Sequence, residues 1–287
     1  MKGTVYAMFA SKSSNFYTRI ALESFFKSTR LTRSDDFYLI DNDNEGIYDY
    51  PTLKIISNIA PKSFARNVND IIELAAGRDI IILSNDVVFT PGWAEPLSHY
   101  SNVLLLPCCN QTHIYSNSLL NLQNSMTLSE YNNQYELLAQ ISQSHKLQNK
   151  PGFFERLVMG FFVFKLPAAV YKKVGMFDER FGVGGGEDVD YRLRAIQQNI
   201  PVKYQTQSYL LHFGGKSTWD GPEQGKETLE RDQKYTNAFI EKWGVDITTL
   251  SLGRGNVMPI VEQYNLANLI QSSDFSKAFK ILLNKQS

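Results

Sequence analysis

Ile80-Ile81-Ile82-Leu83-Ser84-Asn85-Asp86 is four aliphatic residues followed at once by three polar ones. A strand buried on both faces reads as an unbroken aliphatic run, unlike the alternation of a half-exposed strand. Open α/β sheets place their ligands just beyond the carboxyl ends of such strands, so the run aims Asp86 into a site. Val87-Val88-Phe89-Thr90-Pro91-Gly92-Trp93 follows directly.

Upstream of this run, strand and helix patterns alternate. Thr4 to Phe9 reads as a strand, Tyr17 to Lys27 as a helix with Ile20, Ala21, Ser24 and Phe25 at helical spacing, and Phe37 to Ile40 as the second strand. Leu53 to Ile56 is a short third strand, and Phe64 to Ala76 is a helix ended by Gly77, ahead of the strand Asp79 to Leu83. Strands alternating with helices predict a mainly parallel sheet flanked by helices. Asp41-Asn42-Asp43 follows the second strand at the same edge. Its short polar side chains suit a base or ribose hydroxyls, although Asp41 to Gly46 is also rich in turn formers, and for Asp43 and Asn44 the turn is the preferred reading.

Downstream, Gly184-Gly185-Gly186 runs into Glu187-Asp188-Val189-Asp190-Tyr191. Glycine permits positive φ and close approach, and the helix dipole favours ionised carboxylates in a first turn. A carboxylate held there can accept a proton or face a cation. A plain glycine loop with an acidic helix start fits the segment equally, and the segment alone leaves both open. Val174-Gly175-Met176-Phe177-Asp178-Glu179-Arg180-Phe181 precedes the glycines as a turn, and the helix continues through Arg192-Leu193-Arg194-Ala195. Asp190 lies one turn before Arg194 and suits an ion pair with it.

Taken in order, Ser84-Asn85-Asp86, Thr90 to Trp93, Gly175 to Arg194 and Tyr209-Leu210-Leu211-His212 resemble the ordered motifs of the inverting glycosyltransferases of family 2 and their GT-A fold. The resemblance covers roughly residues 4–217. It implies a nucleotide-diphospho-sugar donor, a glycan or other hydroxyl-bearing acceptor, and a divalent cation, Mn²⁺ or Mg²⁺, held by Asp86 and His212. It places Asp41, Arg66, Asn69, Asn85 and Asp86 against the nucleotide or its diphosphate. Asp188 becomes the general base that takes the acceptor proton, while Glu187 holds the acceptor or the loop. Gly214 to Thr218 becomes a loop closing over the diphosphate, with Lys216 neutralising charge. The chain departs from the family pattern at Ser84, where the metal motif often carries its first Asp, so Asp86 alone of that motif is carried over as a ligand.

Composition fits this without demanding it. With 29 basic and 29 acidic residues the formal net charge is zero, which gives no electrostatic footprint for nucleic acid. Cys108 and Cys109 are adjacent, which suits neither a disulfide framework nor a Cys-x-x-Cys metal site, and they are expected reduced and buried near a strand end. Thr4 to Ala10 lacks the apolar core of a secretory signal. Leu157 to Val170, the most apolar later segment, is shorter than a membrane span and is interrupted by Lys165 and Pro167. The expected location is the cytoplasm, with peripheral contact to a membrane surface left open for a lipid-linked acceptor.

The expected organisation is a GT-A catalytic domain over residues 1–225 and a C-terminal helical extension over 226–287. The first divides into a nucleotide-binding half (1–107), a helical insertion (108–155) and an acceptor half (156–225). In the insertion Leu119, Leu122, Met126, Tyr135, Leu138 and Ile141 recur at near-helical intervals. Helices are expected at Leu229 to Trp243, Val257 to Gln271 and Phe275 to Asn284, with Ser272-Ser273-Asp274 as a turn, packing onto the catalytic domain or forming a homodimer contact. Two rivals stand beside the transferase. A nucleotidyltransferase should show a glycine-rich basic loop after the first strand, of which Ala10 to Ser14 is a poor version. A non-catalytic carbohydrate-binding protein on a decayed GT-A fold is suggested by Ser84.

Overall fold

The computed structural model of the protein describes residues 3–11, 14–42, 48–110, 128–182, 184–216 and 225–285. It opens on β1 (Val5–Ala10), α1 (Asn15–Ser28), β2 (Asp36–Asp41), β3 (Leu53–Ser57), α2 (Phe64–Ala75) and β4 (Ile80–Leu83). The four strands pair in parallel in the order β3-β2-β1-β4. The aliphatic run of β4 is buried throughout, as its composition requires. In α2, Ala65, Val68, Ile71, Ile72 and Ala75 recur at the three- and four-residue spacing of one helix face and are all buried. The Ser63 side chain caps the start of α2 by accepting the Arg66 N–H.

β5 (Val87–Phe89), α3 (Glu95–Ser98), β6 (Leu104–Cys109), α4 (Leu128–Tyr131) and α5 (Tyr135–Gln148) come next. They lead to β7 (Phe153–Phe154), β8 (Val163–Leu166), α6 (Ala168–Val174), α7 (Glu187–Gln197) and β9 (Val202–His212). β8 lies antiparallel to β4 and β6, and β9 is parallel to β6 but antiparallel to β5 and β7. The full order among the described residues is β3-β2-β1-β4-β8-β6-β9-β5, with β7 beside β9. The sheet is therefore parallel in the half that precedes Ser84 and mixed beyond it.

The link between β4 and β5 explains the shape of the second half. Three residues, Ser84 to Asp86, join two strands that stand four places apart in the sheet order. A flat sheet would separate them by about 19 Å, whereas the chain from Leu83 to Val87 reaches at most about 14 Å. The far edge must bend back over the end of β4. The bend coincides with a break in the β6–β9 register, where Pro107 pairs with Gln205 but Cys108 pairs with Tyr209. Pro107 has no N–H to give to a ladder, which suits such a break. The extra β9 residues are anchored elsewhere: Thr206 N–H donates to the Gly152 carbonyl (3.1 Å), and Ser208 Oγ donates to the Trp93 carbonyl (2.6 Å).

The C-terminal part is α8 (Gly225–Leu252, kinked at Gly244), α9 (Met258–Gln263), α10 (Ala267–Gln271) and α11 (Phe275–Lys285). The expected helix Val257 to Gln271 is divided, with Asn265 in the left-handed region at the break. Phe239, Trp243, Ile247, Leu266, Phe279 and Leu282 share one apolar core with Val189, Leu193 and Ile196 of α7. The segment thus packs directly on the helix that carries Asp188. Leu138 is buried in α5 as the periodicity of the insertion requires, while Leu119, Leu122 and Met126 lie outside the described residues, as do Asp43 and Asn44. Cys108 and Cys109 form no disulfide and are buried at the end of β6. No helix among the described residues is long and apolar enough to cross a membrane.

Candidate active site

Asp86 sits in the tight link between β4 and β5 and is 1% exposed. Pairing of Val87 with His212 brings the end of β9 beside it, and Asp86 Oδ1 lies 3.3 Å from His212 Nε2. The carboxylate also accepts the Ser84 hydroxyl on Oδ1 and the Lys216 N–H on Oδ2 (2.9 Å). Burial works against charge on Asp86, but the imidazole and these donors outweigh it and hold its pKa below the usual carboxylate value. For His212, burial would remove the proton, yet Asp86, with Cys109 in support, pushes the pKa up to about 10. The His212 backbone N–H donates to Asn110 Oδ1 (2.8 Å), and the Phe162 ring stacks on the imidazole at 4.7 Å between centroids.

The pair would hold a hard divalent cation once the ion displaces the proton that Asp86 now keeps on His212. Two adjacent ligands of an octahedral ion, each about 2.1 Å from it, stand about 3 Å apart, close to the Asp86–His212 separation. One carboxylate and one imidazole suit Mn²⁺ or Mg²⁺ when substrate oxygens complete the shell. Among the described residues no three His, Cys, Asp or Glu side chains converge as a metal cage, so substrate or water would have to supply the rest. Ser84 contributes a hydroxyl donor to Asp86 in place of a second carboxylate. Gly214 and Gly215, at φ 79° and 67°, turn the chain after His212 so that the Lys216 N–H returns to Asp86, a course costly for residues with a Cβ. Ser217 and Thr218 of the expected closing loop lie outside the described residues.

The acidic helix start lies on the other side of Phe161 and Phe162. Gly186, at φ 86°, precedes α7. Glu187 folds back to accept the Gly185 N–H (2.5 Å), a task of holding the loop. Asp188 accepts the Phe161 N–H on Oδ2 (3.1 Å) and the Val189 N–H on Oδ1 (2.7 Å). The helix dipole favours ionisation here, but burial prevails: it raises Asp188 above the usual range and, with the Asp188 charge adding to it, lifts Glu187 to about 7. Asp190 points the other way and is fully buried, bonded to Arg194 Nε (2.8 Å), Lys242 Nζ (2.5 Å) and Trp243 Nε1 (2.9 Å).

Phe161 donates to Asp188, while Phe162 stacks on His212 and its carbonyl accepts the Ser84 N–H (2.8 Å). Two consecutive residues thus join the carboxylate of α7 to the Asp86–His212 pair. Sequence reading had no signal for this role, since both are ordinary apolar residues before β8. Asn110 was also missed, although a polar residue directly after the β6 run is the same signal that marks Asp86.

Asp41 ends β2 buried, and its carbonyl accepts the Asn58 N–H (3.0 Å). Behind it Asn58 Nδ2 donates to Asn42 Oδ1 (2.8 Å) and Asn67 Oδ1 (3.1 Å), fastening β2 to α2. Arg66 is half exposed at the start of α2, with Asp70 at 3.1 Å and Glu179 at 3.7 Å. Two residues expected against the nucleotide make contacts within the protein. Asn85 is buried with both amide hydrogens spent on Ser14 Oγ (2.7 Å) and Thr18 Oγ1 (2.9 Å) of the α1 region. Asn69 donates to the Phe177 carbonyl (3.0 Å) and Glu179 (2.8 Å) and accepts the Phe177 N–H (2.8 Å), so it clamps the turn that precedes the glycines.

No protein-family profile and no curated protein matches the chain. Among solved structures it is similar to GalNAc-T7 with UDP, GalNAc and Mn²⁺, at 13% identity and a TM-score of 0.51, over 74% of this chain and 44% of that one. The chain thus spans less than half of the length of that protein's structure. It also aligns with S. aureus TarS 1-349, at 10% identity, over 97% and 88% of the two chains, with a TM-score of 0.47. A third alignment, to the mannosyltransferase PcManGT from Pyrobaculum calidifontis in complex with GDP-Man and Mn²⁺, has 7% identity, covers 98% and 86%, and has a TM-score of 0.46. The GalNAc-T7 likeness shows the fold: the chain is a GT-A-like α/β protein with a C-terminal helical region.

Proposed function

We propose that the protein is a glycosyltransferase that moves a sugar from a nucleotide-diphospho-sugar to an acceptor hydroxyl with inversion at the anomeric carbon. The observation that carries this reading is the Phe161–Phe162 link. It holds a carboxylate of raised pKa a short distance from a carboxylate–imidazole pair suited to a diphosphate-bound cation. The fold lends support, and GalNAc-T7 of the same fold was solved with UDP, GalNAc and Mn²⁺.

In this reading Asp188 accepts the proton of the attacking hydroxyl, and its raised pKa makes it a stronger base near neutral pH than an exposed aspartate. The Phe161 and Val189 N–H groups each take one carboxylate oxygen and fix its orientation, so the acceptor hydroxyl would use a remaining lone pair. Glu187 steadies the glycine lip. Asp86 and His212 would hold Mn²⁺ or Mg²⁺, which when bound supplies charge compensation for the leaving diphosphate. Asp41 and Arg66 lie at the edge where the nucleoside would sit, and Lys216 lies on the diphosphate side. The acceptor is a glycan or another hydroxyl-bearing molecule. Two buried cysteines without a disulfide suit a reducing compartment, and the zero net charge gives no ground for a nucleic-acid partner.

The test is a panel of UDP-glucose, UDP-N-acetylgalactosamine and GDP-mannose, each titrated with Mn²⁺ or with EDTA while nucleoside diphosphate release is followed. Metal-dependent binding with slow release is the expected result for at least one donor. A protein that binds no member of a widened nucleotide-sugar panel with Mn²⁺ present is not a transferase of this kind. Inversion is checked from the anomeric configuration of the product by proton NMR.

A further inference from the structure

Helix α8 crosses directly over the acidic start of α7. A Cβ on Gly185 would lie 2.8 Å from Tyr235 Cδ1 and 3.0 Å from its Cε1, and one on Gly186 would lie 3.2 Å from Tyr235 Cδ2 and 3.3 Å from Phe239 Cδ2. Contacts so short exclude a side chain at Gly185, and both glycines also have positive φ. The ring of Tyr235 therefore rests on bare backbone. It is itself braced, because Arg254 donates to the Tyr235 hydroxyl and grips Asp232 with both terminal nitrogens at 2.5 Å each. Glu187 ties back to the same Gly185 N–H, so the lip is held by its own helix from below and by α8 from above.

We propose that Tyr235 is a positioning residue for Asp188: its ring, held by Arg254 and Asp232, fixes the Gly185–Gly186 backbone and with it the direction in which Asp188 leaves the helix start. The inference rests on the transfer reading. Glycines have no side chain with which to hold a conformation, so whatever packs on them decides where the next residues stand. A base displaced by about 1 Å loses roughly 100-fold in rate, so a helix that contributes no reacting group still governs turnover. This gives α8 a task in the chemistry beyond that of an appended helix.

The test compares Tyr235→Ala, Tyr235→Phe and the control Ile247→Ala, which opens the same helical core away from the lip. Two quantities are read: amide hydrogen exchange across residues 184–189 in the free protein, and kcat and donor KM for nucleoside diphosphate release from the UDP and GDP sugars named above. Tyr235→Ala should speed exchange at the lip and lower kcat roughly 10- to 100-fold with donor KM within about twofold. Tyr235→Phe should rescue most of kcat because it keeps the ring, and Ile247→Ala should lose stability with kcat retained. Should Tyr235→Ala fail to fold, Arg254→Gln takes its place, and a several-fold fall in kcat with faster exchange at the lip is expected. Native kcat or unchanged exchange in the variant examined, or an equal fall in kcat in Ile247→Ala, overturns the proposal. A native protein that releases no diphosphate from any donor overturns the transfer reading instead, and the exchange data then decide alone whether Tyr235 sets the lip.

Discussion

The Phe162 ring lies nearly flat on the His212 imidazole, with the two planes 14° apart. Its neighbour Phe161 donates its N–H to Asp188. The α7 carboxylate and the Asp86–His212 pair are therefore joined through two adjoining residues just before β8. Such a short, strand-anchored link suits a site in which a base and a leaving-group cradle must keep station on either side of one substrate.

Asp188→Asn should keep the fold, since the amide oxygen can still accept the Phe161 N–H. Turnover should fall by roughly two to four orders of magnitude with donor affinity unchanged, the loss expected on removing a general base. Steady-state kinetics beside calorimetric donor titration checks this. Near-native kcat would remove Asp188 from the role.

Asp86→Ala and His212→Ala each delete one of the two protein donors placed 3.3 Å apart. Either should weaken Mn²⁺-dependent binding of UDP or GDP by at least about tenfold, the scale of losing a ligand from a sparse site. Binding measured in EDTA should change little. If calorimetry on the native protein gives equal nucleotide affinity with Mn²⁺ and with chelator, the pair is an ion pair only.

The parallel half of the sheet was legible because each element carries its own period: the run Ile80 to Leu83, the buried face of α2, the turn formers between them. That Asp86 and His212 come together follows from the pairing of Val87 with His212, which sets the residue before β5 beside the end of β9. Asn85, expected against the nucleotide, gives its amide hydrogens to Ser14 and Thr18, contacts some seventy positions away that its place beside Asp86 does not announce. The mixed half depends on pairings such as β4 with β8, about which neither strand's own pattern says anything. Tyr235 is fifty positions from Gly185, and only the packing of α8 on α7 shows why that glycine admits no Cβ.

Glu187 gives a pH signature. Its pKa in the folded protein is raised from 4.5 to about 7 by burial and the adjoining Asp188 charge, with Arg231 acting the other way. The folded state thus binds the proton more tightly than the unfolded chain, so this contribution to stability is full below pH 4.5 and is lost as pH rises through about 7. Glu187→Gln keeps an acceptor for the Gly185 N–H and does not titrate. Thermal melts between about pH 5 and pH 8 should fall less steeply in the variant than in the native protein. Parallel curves would place the Glu187 pKa in the ordinary range.

Asp190 is a stability residue. Its fully buried carboxylate satisfies Arg194, Lys242 and Trp243 at once. Asp190→Ala strands that group of donors, and removing one partner of a buried ion network costs about 3–5 kcal/mol. Urea unfolding should show a loss of that order with donor affinity preserved at a temperature where the variant is folded. A loss below about 1 kcal/mol, the scale of a surface pair, would mean that the network is dispensable.

The loop after β9 should respond to ligand. Gly214 and Gly215 turn the chain at positive φ so that the Lys216 N–H meets Asp86, and Phe213 at the start of the loop packs on Tyr17 and Tyr131. A diphosphate bridging the Asp86–His212 pair and Lys216 would supply contacts that the free protein lacks, and such loops become ordered when a ligand provides them. Hydrogen exchange at residues 213–216 should therefore slow when UDP or GDP is added together with Mn²⁺, and less when either is added alone. The amides of β4, buried between β1 and β8, should stay protected in every condition. Unchanged exchange at the loop, under conditions where calorimetry shows the nucleotide bound, would place the diphosphate away from Asp86 and remove the site proposed for it.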